Sequence, residues 1–308
     1  MRENIKLKDL IIVLILGFTP LINAQSGICL AKDENVVDVI VSLHYNFKEK
    51  LPDVFNVIDS SIYVSNGEAI LKFDINGALE YELKIPDSLR DGWLISDFCL
   101  SKQGYYLSIG RKLISISKKG DVFFSKKDGG YLLREYNNLL IRNKDITDEI
   151  LIQSNDGKNA YIYPRVKNLT PLNFEVINDK IMLYSNDDYF YKLPLDTTKS
   201  AEKYELPMLP KEERVWFLGI TNNSYLFKCY DAEIEKDILY TYDEHLNFIK
   251  KIIVPLDFKD ITTKFTSNSE NNYLLEHPSG IIYHYNGEIM YLMRNTKSGV
   301  VISKIKMG

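Results

Sequence analysis

A strand, turn, strand unit recurs along this chain about every 44 residues, and that period rules out most ways of burying its apolar side chains. Tyr63, Tyr106, Leu140, Met182, Leu226 and Tyr283 mark equivalent points of the unit. Each lies in a short stretch of alternating apolar and polar residues rich in Tyr, Ile, Val and Phe, types that suit a half-buried pleated surface. Helical periodicity of any length is missing. A unit of a few short strands has two faces to cover and nothing of its own to cover them with, so it must stack on a neighbour at either side. Six such units fill nearly all of the chain beyond residue 24. The period therefore predicts an all-β fold, a six-bladed β-propeller of four-stranded antiparallel blades. An irregular sandwich or barrel uses similar strands but lacks the six-fold echo.

Turn chemistry supports this reading. Tyr63-Val64-Ser65-Asn66-Gly67-Glu68-Ala69-Ile70-Leu71 and Tyr283-His284-Tyr285-Asn286-Gly287-Glu288-Ile289-Met290-Tyr291 both read as strand, Asn-Gly turn, strand, the pair that tight hairpins with positive φ demand. A second hairpin is expected at the outer edge of each unit. It is clearest in Phe73-Asp74-Ile75-Asn76-Gly77, Ser117-Lys118-Lys119-Gly120 and Asn155-Asp156-Gly157, and degenerates to Asp196-Thr197-Thr198-Lys199 and Asp243-Glu244-His245-Leu246. The polar stretch Leu256 to Ser269 reads as an insertion that lengthens the last interval. Removing open sheet edges requires the N-terminal strand, Val36 to Tyr45, to pair with the last blade.

Residues 1–24 read as a secretory signal peptide: Arg2, Lys6 and Lys8 precede an apolar run from Leu10 to Ile22, and small Ala24 offers a cleavage point. The run is shorter than the ~20 residues that span a bilayer. Residues 25–308 then form one domain, expected in the periplasm or outside the cell as a monomer with no membrane span. A formal net charge of -4 supplies no basic field for nucleic acid. Three cysteines, Cys29, Cys99 and Cys229, imply no disulfide framework, and Cys99 and Cys229, both in strand-like stretches, read as buried thiols.

The stretch Ile62-Tyr63-Val64, then Phe73-Asp74-Ile75-Asn76-Gly77, then Asp91-Gly92-Trp93-Leu94-Ile95-Ser96-Asp97-Phe98 resembles the six-bladed propellers of secreted bacterial proteins that are relatives of NHL-repeat proteins. The terminal Val300-Val301-Ile302-Ser303-Lys304-Ile305-Lys306 is similar to the closing strand of that family, whereas Asp91-Gly92-Trp93 stands where its fuller Gly-rich loop would be. The resemblance implies the fold and export. It carries no catalytic residue, because fold alone does not give function.

Catalytic signals are thin. None of His44, His245, His277 and His284 has a second His or Cys at zinc-ligand spacing. Propeller enzymes that hydrolyse lactones or phosphoesters resemble this architecture and hold calcium in the channel. On that alternative, a calcium-dependent hydrolase would draw its oxygen ligands from Asp97, Glu135, Glu175 and Glu276, each near an innermost strand. The leading expectation is a non-enzymatic binding propeller without a cofactor, whose partner is a protein or a glycan held where six blades converge. Trp93 and Trp216 lie at the start of innermost strands with Arg90 and Arg214 close by, and Arg with Trp is the pairing favoured at binding hot spots. Trp93, Arg134, Arg214 and Trp216 are the expected contacts.

Overall fold

A computed structural model describes residues 37–47, 52, 54–127, 129–130, 132–143, 149–154, 160–162, 171–185, 187–210, 215–221, 223–254, 281–287, 289–296 and 299–305. Residues 1–24, Cys29, Arg214, Glu276, His277, the Asn155-Asp156-Gly157 turn and the stretch Leu256 to Ser269 lie outside this set.

Six four-stranded antiparallel sheets form a propeller. Blade 1 contains β2 to β5 (Val54–Ile58, Ser61–Ser65, Ala69–Asp74, Leu79–Lys84), and blade 2 contains β6 to β9 (Ile95–Leu100, Gly104–Ile109, Lys112–Ser117, Val122–Lys126). Blade 3 contains β10 to β13 (Arg134–Tyr136, Leu139–Asn143, Ile150–Ser154, Ala160–Ile162) and blade 4 β14 to β17 (Pro171–Ile177, Lys180–Ser185, Tyr189–Pro194, Glu202–Glu205). Blade 5 contains β18 to β21 (Val215–Thr221, Ser224–Asp231, Lys236–Tyr242, Phe248–Ile253), and blade 6 contains β22 to β24 (Ile281–Tyr285, Met290–Thr296, Gly299–Ile305). The fourth strand of blade 6 comes from the opposite end of the chain. β1 (Val37–Leu43) pairs with β24, Val37 opposite Ile305 and Leu43 opposite Val300, so the expected closure by the N-terminal strand is present. Each innermost strand touches the next, including β22 against β2, which completes the ring.

The cores lie between blades. Each of the six seams holds its own cluster of buried apolar side chains, as blades that cannot cover their own faces require. Cys99 in blade 2 and Cys229 in blade 5 are both buried, as expected.

Five of the six repeat points, Tyr63 to Leu226, fall on second strands, but Tyr283 lies on β22, a first strand. The equivalent segment of blade 6 is β23. The echo misleads because one turn serves two different hairpins: Asn66 Oδ1 accepts from the Ala69 amide between the second and third strands of blade 1, while Asn286 Oδ1 accepts from the Ile289 amide between the first and second strands of blade 6. Gly67 and Gly287 both take positive φ, as expected of Asn-Gly. Outer hairpins are conserved in mechanism where the sequence drifts. Asp74 accepts from the Asn76 and Ala78 amides, Ser117 Oγ from Lys119 and Asp121, and Asp243 from His245 and Asn247. In the last of these Leu246 takes the left-handed φ of 65° that glycine would take more easily.

An even number of strands per blade returns the chain to the side where it began. All blade-to-blade connections and second-to-third-strand hairpins therefore share one face, here called the connector face.

Candidate functional site

Two places on this scaffold collect chemistry. One is the channel. Arg134 at the start of β10 is a bridge across three blades: its Nε lies 3.1 Å from both Glu175 carboxylate oxygens of blade 4, its Nη2 2.9 Å from Glu175 Oε1, and its Nη1 4.0 Å from Asp97 Oδ2 of blade 2. The guanidinium also stands 5.8 Å from the Phe174 ring. Asp97 accepts from the Leu133 amide at 2.6 Å and the Phe98 amide at 2.8 Å. Burial pushes both carboxyls up from the ordinary range, opposed by the charge of Arg134. Burial would pull the guanidinium down, but Glu175 and Asp97 outweigh it and raise it. Two buried carboxyls and the partly buried Arg134, at successive repeat positions, thus knit blades 2, 3 and 4 together at the axis.

His284 on β22 meets Phe55 edge-on with ring centroids 5.6 Å apart. Its Nε2 is buried and meets no hydrogen-bond partner among the described residues. Burial, reinforced by the positive charge of Arg134 and opposed by a backbone hydrogen bond with Val57, holds the imidazole down to about 3, so it is neutral. Sequence reading took His284 as an ordinary strand residue, and its orphaned nitrogen has no local signature.

The second place is the connector face between blades 1 and 2. A single helical turn, α1 (Asp87–Arg90), ends in left-handed Asp91 and Gly92 and delivers Trp93 to the surface, 42% exposed. The segment is pinned throughout. Buried Arg90 donates to the Ile85 carbonyl at 3.0 Å and pairs with Glu68 and Asp87, the Trp93 amide donates to the Arg90 carbonyl at 2.9 Å, and Lys112 pairs with Asp91 and donates to the Leu89 carbonyl at 3.2 Å.

The four expected contacts do not form one cluster. Trp93 is on the connector face, Arg134 is in the channel ion group, and Arg214 lies outside the described residues. Trp216, only 4% exposed, belongs to the core of the seam between blades 5 and 6. Lys228 Nζ sits 4.4 Å from its ring and 3.2 Å from Asp237, to which Tyr283 also donates at 2.7 Å. Burial lowers the Lys228 ammonium. Of the carboxylates considered for calcium, Asp97 and Glu175 converge on Arg134, Glu135 accepts from the Asn138 amide, and Glu276 is outside the described residues. Among the described residues no three His, Cys, Asp or Glu side chains gather as metal ligands.

With the six sheets and both sites in place, the molecule can be set beside known ones. The likeness is one of fold. A catalytically inactive variant of virginiamycin B lyase from Staphylococcus aureus, crystallised with quinupristin, matches with a TM-score of 0.55 at 13% identity over 88% of this chain and 99% of its own. An exported-protein candidate from Bacteroides fragilis gives 0.57 at 7% identity over 91% and 97%. The N-terminal domain of Nup159 gives 0.51 at 12% identity over 91% and 98%. No family model matches the sequence, and no curated protein does. Identities this low support the propeller architecture and leave activity to be argued from the residues.

Proposed function

We propose that this protein is an exported, non-enzymatic propeller that holds its partner on the connector face. The observation that carries this reading is the exposure of large apolar side chains on that face: Trp93 and Leu94 before β6, Met208 at 70% on the lead-in to β18, and Ile234 in the β19–β20 hairpin. Apolar groups presented by pinned backbone are preorganised contacts, which lowers the ordering cost of binding. The channel offers less. Its charged groups already satisfy one another, with Arg134 in the space between Asp97 and Glu175, an arrangement suited to holding blades rather than to turning over a substrate. Export rests on residues 1–24.

Photo-crosslinking in the envelope of producing cells tests the reading. A benzophenone side chain in place of Met208 or Ile234 should capture a partner, whereas one in place of Phe123 or Ile249, exposed on outermost strands, should not. Adducts from the rim positions alone, or from none of the four, would overturn it.

A further inference from the structure

The indole of Trp93 is held flat. A Cβ on Gly110, which has φ of +54°, would lie 2.7 Å from Trp93 Cγ, 2.9 Å from Cδ2 and 3.0 Å from Cδ1, near-equal distances that place it over the face of the five-membered ring. Only a residue without a side chain lets the backbone of the β7–β8 hairpin serve as a floor for the ring. One face of the ring is against Gly110, and the residue as a whole is 42% exposed, which leaves the other face as the one a ligand could cover. That ring is not a loosely hung side chain. Its backbone amide, its carbonyl and the segment before it are all tied down, the carbonyl to Arg90 Nη1 at 3.5 Å. Beside exposed apolar Leu94, the surroundings also carry charge. Asp91, two residues before Trp93, pairs with Lys112, two residues after Gly110, with the Asp91 carboxylate more than half exposed, and exposed Asp87 lies on the same turn.

A partly exposed indole on a glycine floor, with a carboxylate and an ammonium paired two residues from the ring and from the floor, matches the two demands of a sugar ring. Its C–H face is apolar and lies against an aromatic plane, while its edge carries hydroxyls that need an acceptor and a donor side by side. We infer that Trp93, seated on Gly110, is the stacking platform of a carbohydrate subsite whose hydroxyl contacts are Asp91 and Lys112. The inference rests on the connector face being the binding face and names the ligand class for it. The ligand is a neutral pyranose within an oligosaccharide, since the ion pair beside the platform is already balanced and calls for hydroxyls rather than for a charged group.

Titration of the full protein with cellotetraose, laminaritetraose, chitotetraose and maltotetraose, followed by calorimetry and by tryptophan emission, tests it. At least one tetrasaccharide should bind saturably and shift the emission, and the shift must come from Trp93 because Trp216 is in the core. Trp93→Ala should weaken that binding about tenfold or more with an unchanged melting temperature, Trp93→Tyr should retain most of it, and Asp91→Ala should weaken it while leaving the emission shift at saturation. Failure of all four sugars to bind, or binding that Trp93→Ala leaves intact, would overturn the inference. The binding-face reading would then stand or fall separately on crosslinking at Met208 and Ile234, which lie on other loops.

Discussion

Between blades 4 and 5 the rings of Phe190, Phe217, Phe227 and Tyr242 meet with centroids 5.1 to 5.5 Å apart inside a cluster of fourteen buried apolar residues. Between blades 2 and 3 the cluster has five, Cys99, Tyr106, Leu113, Leu133 and Leu140. Polar groups take the remaining space there. Arg142, 1% exposed, donates to the Gly129 carbonyl at 2.9 Å and to Gln153 at 3.3 Å, and Ser108 donates to the Gly130 carbonyl. The aromatic seam draws on area removed from water and tolerates small rotations of one blade on the next. The polar seam draws on directed bonds and fixes a single geometry. That rigid seam also braces the platform, because the Gly129 amide donates to the Arg111 carbonyl, next to Gly110.

The sharpest way to break this contrast is at its two centres. Phe217→Ala should cost about 3–5 kcal/mol in urea unfolding, with little dependence on pH or salt. Arg142→Met should cost less, about 2–3 kcal/mol, because it leaves the buried Gln153 oxygen and the Gly129 carbonyl unpaired. An Arg142 variant as stable as the wild type would show that the polar seam contributes position and not stability.

A pH series examines the seam between blades 6 and 1, where His284 meets Phe55. The folded imidazole titrates near 3 and the unfolded one near its ordinary value of about 6.5, so the unfolded chain binds the extra proton as pH falls between them. Wild type should therefore lose stability relative to His284→Gln at up to about 1.4 kcal/mol per pH unit below pH 6.5. Parallel curves would place the imidazole in contact with water. The smallest expected effect is a gain. Both polar side-chain atoms of Asn143 are buried without partners among the described residues, so the similarly shaped Asn143→Leu should stabilise the protein by about 1 kcal/mol.

How much of this could be read from the chain alone depends on distance along it. Strand alternation and turn residues are local, and they give six blades, the outer hairpins and the closing strand. Two-residue hairpins at Asn137-Asn138 and Asn178-Asp179, all four with positive φ, were equally local signals that the Asn-Gly echo overshadowed. The channel group was less legible. Arg134 read as a ligand contact and Asp97 and Glu175 as metal ligands, because nothing near any one of them names the others as partners. The available clue was the repeat itself: Asp97, Arg134 and Glu175 are separated by 37 and 41 residues, close to one period, so they occupy neighbouring positions around the axis. Trp93 and Trp216 show the converse. They share a position at the start of an innermost strand, but a glycine floor 17 residues further on lifts one to the surface, and a buried lysine closes over the other.

Because β1 completes blade 6 from the far end of the chain, the last blade is one strand short whenever the two ends are apart. During that interval β24 offers its unpaired amides and carbonyls to any chain with the right pattern, and the best match nearby is β1 of another copy. Exchange of that strand between two molecules would satisfy the pairs from Val37–Ile305 to Leu43–Val300 in each ring with no new contact. The seam that makes the ring whole is thus also where two rings can become linked.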